Sequence, residues 1–114
     1  MSTSAAQMAM FFREIGADGS VWTIEDDDGV PAPRGTDGHR AMPFWSLQSR
    51  AERIINRAPE YDGFRTREIP RSEFEHRWLP GASRHGLLVG LNWSGTRVAG
   101  FDLTPIDVLD RLPR

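Results

Sequence analysis

Few residues in this chain could do chemistry, and their spacing limits what that chemistry could be. The imidazoles are His39, His76 and His85. They lack the tight His-x-x-x-His spacing of a metal site, and without any cysteine no Cys/His zinc set can be completed. All three therefore read as surface histidines, and no metal or cofactor is expected. Asp26-Asp27-Asp28 offers hard oxygen ligands for Mg²⁺ or Ca²⁺, but no glutamate stands at the twelfth position of an EF-hand loop. A solvated turn explains the run better. Asn92-Trp93-Ser94 matches a glycosylation acceptor but reads more physically as hairpin chemistry. Ser94 is not a nucleophile elbow, because Asn92 occupies the place where a glycine is needed. There is no Gly-x-Gly-x-x-Gly. All 14 basic residues are arginine, so a P-loop lysine and a Schiff-base lysine are both excluded.

Three classes of function fit what is left. The first is a small protein-binding module of interaction or immunity type, without catalysis. Its candidate surface anchors are Trp22, Trp45 and Trp93, and the binding set read from the sequence is Trp45, Asn92, Trp93 and Asp102. An indole beside a turn either folds back on its sheet or stands in solvent as an anchor, and for Trp93 the size of the ring favours packing. The acidic turn at Asp26–Asp28 suggests complementarity to a basic protein partner. The second class is a small enzyme with a non-obvious site near the last hairpin. It would draw on Glu73, Glu75, His85, Arg97 and Asp102, which meet only if that hairpin packs on the third helix. The third is nucleic-acid binding. Arg65-Thr66-Arg67 could mark a phosphate contact, yet an exposed strand face explains it equally well. A net charge of −2 argues against a polyanion binder.

The elements that must position these residues follow from periodicity. Met8, Phe11, Phe12 and Ile15 recur at helical spacing and predict a first helix from about Ala6 to Ile15. Residues 1–5 read as frayed, and the domain is expected over 8–114 behind a disordered 1–7 segment. Val21 to Ile24 predicts a strand, Asp28-Gly29 a tight turn, and Val30 to Arg34 an edge or irregular segment, because its prolines cannot donate to a ladder. Ala41 to Trp45 is extended. A second helix follows, capped by Ser46 or by Ser49, which makes a capping box with Glu52, and with an inward stripe of Leu47, Ala51, Ile54, Ile55 and Ala58, stopped by Pro59. Phe64 to Ile69 predicts a strand. A third helix from Ser72 to Leu79, with a Ser72/Glu75 capping box, should end at Pro80-Gly81. Leu87 to Leu91 is the best candidate for a central strand, residues 92–96 turn, and Val98 to Leu103 returns beside it. Thr104-Pro105-Ile106-Asp107 opens a last helix, with Ile106, Leu109 and Leu112 facing inward. Helices and strands in this order predict a single α+β domain, its mixed or antiparallel sheet of about five strands covered by about four helices.

A chain of 114 residues with 39% apolar residues suffices for one self-supporting core. Absence of cysteine fits a reducing cytoplasm. Neither a leader pattern nor an apolar run of membrane-spanning length occurs, so a cytoplasmic location without membrane or nucleic-acid partners is expected.

Five segments together resemble the bacterial domain-of-unknown-function family 2750. They are Phe11-Phe12-Arg13-Glu14-Ile15, Val21-Trp22-Thr23-Ile24, Met42-Pro43-Phe44-Trp45-Ser46 leading to Arg50-Ala51-Glu52, Glu73-Phe74 with Trp78-Leu79-Pro80, and Gly86-Leu87-Leu88-Val89-Gly90-Leu91-Asn92-Trp93. The resemblance spans about Met8 to Leu112. It implies a small bacterial protein and no catalytic set, since the family carries no established activity. Pro70 departs from the pattern, standing where a polar helix cap is expected. A purely architectural likeness links the Pro-Phe-Trp-Ser segment, the hairpin and the Thr-Pro cap to the N-terminal domain of the secretion-enhancer protein SseB. Small immunity proteins share this size and style.

Overall fold

The computed structural model describes residues 3–16, 19–35, 37–95 and 99–113. The chain is α+β, and its five strands form two small sheets where one was expected. β1 (Ser20–Glu25) pairs antiparallel with β3 (Arg65–Pro70). β2 (Ala41–Phe44) lies parallel to β4 (Leu88–Ser94), which pairs antiparallel with β5 (Ala99–Leu103). The sheets meet at Trp22 and Trp45, whose backbones exchange hydrogen bonds of 2.8 and 2.7 Å. Pro43 is tolerated because β2 is an edge strand. Its carbonyl accepts a 2.8 Å bond from the buried Thr23 hydroxyl and ties the sheets again. The Val30–Arg34 segment forms no strand, and the turn before it closes through a bridge between Asp26 and Gly29.

The core divides over the two faces. α1 (Thr3–Ile15) begins three residues before the expected Ala6 and packs on β4 and β5. Phe11 and Ile15 join Val21, Phe44, Ile69, Phe74, Leu91 and Val108 in one cluster. α2 (Gln48–Arg57) covers a second cluster of Ile24, Trp45, Ala51, Ile54, Tyr61 and Trp93. Its stripe is right except for Leu47, which is exposed at the cap. Neither expected capping box forms. Leu47 caps α2, and the next helix starts directly from Pro70, neither with a side-chain bond. That helix, α3 (residues 71–84), does not stop at Pro80-Gly81. Arg71–Glu73 is α-helical, Phe74–Trp78 is a π turn, and Leu79–Arg84 is α-helical again. The Leu79 N–H reaches back five residues to the Phe74 carbonyl. A proline needs room where its ring would strike the carbonyl four residues earlier, and the wide turn just ahead provides it. α4 (Pro105–Arg111) has the cap read from the sequence, with Thr104 Oγ1 accepting from Asp107 N at 3.2 Å. Pro105, Val108 and Leu112 turn inward, whereas Ile106 is 66% exposed, contrary to expectation. No helix among the described residues is long and apolar enough to cross a membrane.

Candidate functional site

The four residues chosen from sequence meet in one place. A bulge in β4 between Leu91 and Ser94 puts Asn92 at φ 52, a left-handed conformation that asparagine tolerates better than most residues. It turns the side chain inward, to 3% exposure. Asn92 Oδ1 accepts the Ser46 backbone N–H at 3.0 Å, while Nδ2 donates to Ser46 Oγ at 3.0 Å and to the Gln7 carbonyl at 3.3 Å. The Ser46 hydroxyl donates to Glu14 Oε1 at 2.5 Å, and Arg50 grips both oxygens of Glu14 at 2.8 and 2.7 Å. The Arg50 guanidinium holds the Glu14 carboxyl below the usual carboxylate range, against a burial that pushes the other way; Ser46 adds to the lowering.

Trp45, fully buried, donates Nε1–H to the Trp93 carbonyl at 2.8 Å, and Trp93 donates its own to Asp102 Oδ1 at 2.8 Å. The Trp93 indole lies across two bare backbones. A Cβ on Gly90 would stand 2.3 Å from its ring, and one on Gly100 2.6 Å. Both glycines mark this close approach. Trp45 and Trp93 are thus core residues, and neither ring offers a surface anchor. Asp102 is exposed, yet its carboxyl is raised, first by desolvation on the hairpin and also by the charge of Asp37, with the Trp93 bond acting in the opposite direction. The acceptor pattern at Asn92 is buried and serves the hairpin.

The other candidates are scattered. His39 lies beside Asp37 at 3.2 Å. Glu75 is spent on the buried Arg71 at 2.9 Å, which also donates to the carbonyls of Gly16 and Pro113. Asp26 accepts the Asp28 N–H within its own turn, and Asp27 faces Arg65 at 3.4 Å, while the carboxylates of Asp27 and Asp28 stay exposed, as a solvated turn should. Arg97 lies outside the described residues. Among the described residues no group of three or more His, Asp or Glu could hold a metal ion.

Glu73 and His85 do come together, in a groove of about 400 Å³ along the π turn. Met42, Trp78 and Leu87 give it an apolar floor, and Arg67, Arg77, Arg84, His76 and His85 surround that floor. The Arg67 guanidinium sits 5.2 Å over the Trp78 ring and 3.1 Å from Glu25. Glu73 is the one carboxylate among the described lining residues, and Arg77 engages it at 3.4 Å. Among the described residues Arg84 has no ion pair, and the imidazoles of His76 and His85 make no hydrogen bond or ion pair. The sequence suggested Arg67 and placed both histidines around the helix end, but it ended the helix at Pro80. The continuation through Pro80 carries Arg84 and His85 round to the same groove. A smaller pocket of about 130 Å³ lies beside Asn92 and Trp93, with Arg50, Arg53 and Arg57 along one wall. Their i, i+3, i+7 spacing is visible in the sequence.

A family described as Protein of unknown function (DUF2750) matches residues 8–112. The chain belongs to this family. DUF2750 membership covers the chain from within α1 through α4 and agrees with the five segments that suggested it. No curated protein matches the chain, and the architectural likeness to the SseB N-terminal domain has no support. The DUF2750 match brings no catalytic or binding residue with it, so the chemistry of the two concavities stands on their own residues.

Proposed function

We propose that this protein is a small protein-binding module, and that the groove along the π turn takes an acidic segment of its partner. The observation that carries the reading is the charge of that groove. Three guanidinium groups gather over an apolar floor, with Glu73 as the one carboxylate among the described lining residues, on a chain whose net charge is −2. Arg67 and Arg77 each pair with a glutamate, and Arg84 has no such partner among the described residues. A local field of sign opposite to the whole molecule steers an acidic partner and selects its docking face. Trp78 and Leu87 supply apolar contact, and the arginines supply planar forks for carboxylates. The open shape suits an extended segment laid across it. Binding is favoured over catalysis because Glu73 is engaged by Arg77 and neither groove imidazole is held by a carboxylate. The acidic turn read from sequence pointed to a basic partner. The concave arginine groove instead favours a partner of the opposite sign.

The test is fluorescence polarisation with a labelled peptide alternating Glu and Leu, beside its Lys–Leu counterpart. Wild type should bind the acidic peptide saturably and lose affinity as salt rises. The double variant Arg77→Glu with Arg84→Glu, shown folded by circular dichroism, should bind it at least about tenfold more weakly. Equal binding by both proteins, or no binding at low ionic strength, would refute the reading.

A further inference from the structure

We infer that the pocket beside Asn92 is a separate site for a small phosphate-class oxyanion. Its wall is one face of α2, where Arg50, Arg53 and Arg57 stand at i, i+3 and i+7. Gln7, Ile54, Asn92, Trp93, Ser94 and Gly95 also line it, so no carboxylate is among its described lining residues. Arg53 and Arg57 make no ion pair or hydrogen bond among the described residues. Like charges one helical turn apart cost an isolated helix about 0.2–0.5 kcal/mol, and unlike Arg50, which pairs with Glu14, Arg53 and Arg57 have no carboxylate partner among the described residues. A bound anion would offset that cost.

Arg50 differs from its neighbours. Its Nε and Nη2 are held by both oxygens of Glu14, which is itself fixed by the Ser46 hydroxyl. One guanidinium of the three is therefore oriented before any ligand arrives, and its remaining N–H groups are free to donate. Two exposed forks without a carboxylate partner among the described residues, beside one fixed fork in the same pocket wall, suit an anion with several acceptor oxygens distributed in three dimensions. Arginine binds phosphate and sulfate through paired N–H donors, and such charge-assisted bonds are roughly twice as strong as neutral ones. The apolar sides of Ile54 and Trp93 lower the local polarity and strengthen the attraction. Size narrows the class further. About 130 Å³ holds one tetrahedral group, well under the roughly 300–1,000 Å³ of a typical small-molecule site. A free phosphate or a phosphate monoester with its remainder in solvent both meet these requirements.

Isothermal titration calorimetry separates them, with inorganic phosphate in one arm and methyl phosphate in the other, at low ionic strength. Saturable 1:1 binding is expected. Tighter binding of methyl phosphate assigns the site to monoesters, and equal or tighter binding of inorganic phosphate assigns it to the free ion. Arg53→Gln with Arg57→Gln, both at exposed positions, should weaken binding by at least about tenfold while leaving the fold intact. The groove variant Arg77→Glu with Arg84→Glu should bind phosphate as wild type does. No heat of binding from either anion, unchanged affinity in the Arg53/Arg57 variant, or loss in the groove variant overturns the assignment.

Discussion

Asn92→Ala should be among the most destabilising single changes outside the apolar core. Three hydrogen bonds disappear with the amide. The largest loss is on the other side of the contact, because Ser46 is only 3% exposed and its N–H is left without an acceptor. An unsatisfied buried donor costs about 1–3 kcal/mol. The backbone adds a second contribution. At φ 52 an alanine carries the left-handed penalty of about 1–2 kcal/mol, which asparagine partly escapes. Together these give a loss of roughly 2–4 kcal/mol, against a total stability of about 5–15 kcal/mol for a domain of this kind. Asn92→Gly separates the two parts. It loses the same hydrogen bonds but accepts the positive φ, so it should be more stable than the alanine variant by about 1 kcal/mol. Urea unfolding at neutral pH, with midpoint and slope fitted for all three proteins, reads both differences. Alanine and glycine variants of equal stability, or an alanine variant within about 0.5 kcal/mol of wild type, would refute the role given to Asn92.

Gly90→Ala should cost about 1–3 kcal/mol or more, because its Cβ meets the Trp93 indole; a changed near-ultraviolet circular dichroism band would show the ring displaced. Asp102 has a folded-state pKa above its unfolded value, so its contribution is fully present below the unfolded pKa and is lost as pH rises through the folded one. Asp102→Asn, which can still accept from Trp93, should therefore raise the thermal midpoint at neutral pH, with the gain fading in acid. Glu14 has the opposite sign. Its lowered pKa contributes stability above the unfolded value that is lost as pH falls through the folded one. Glu14→Gln should thus be costly near pH 7 and progressively less so in acid, as thermal melts at stepped pH would show.

Where one periodicity dominated, the fold could be read from the sequence directly. The stripe of Met8, Phe11, Phe12 and Ile15 made α1, the run from Leu88 made the central strand, and Thr104-Pro105 capped the last helix. What escaped depended on contacts between distant segments. A proline normally stops a helix, and only the π turn ahead of Pro80 lets α3 continue. The capping boxes had the right spacing, but extended backbone at Leu47 and Pro70 began those helices without side-chain caps. The split into two sheets followed from β1 choosing β3, some forty residues away, over the proline-rich segment next to it. Asn92, Trp93, Trp45 and Asp102 lie together, yet their hydrogen-bonding groups are spent within the fold: Trp45 on the Trp93 carbonyl, Trp93 on Asp102, and Asn92 on Ser46 and Gln7. The π-turn groove was only half visible. Arg67, His76 and His85 were each noticed singly, and no local pattern tells that a strand and a continued helix bring them to one surface.

The most direct test of the groove is a two-dimensional ¹H–¹⁵N NMR titration of the labelled protein with the unlabelled Glu–Leu peptide. Docking of an acidic segment predicts progressive shifts concentrated at Arg67, His76, Arg77, the Trp78 indole N–H, Arg84 and His85, with residues around Asp26–Asp28 unmoved. Shifts spread evenly over the surface, or centred on the far side of the molecule, would contradict it.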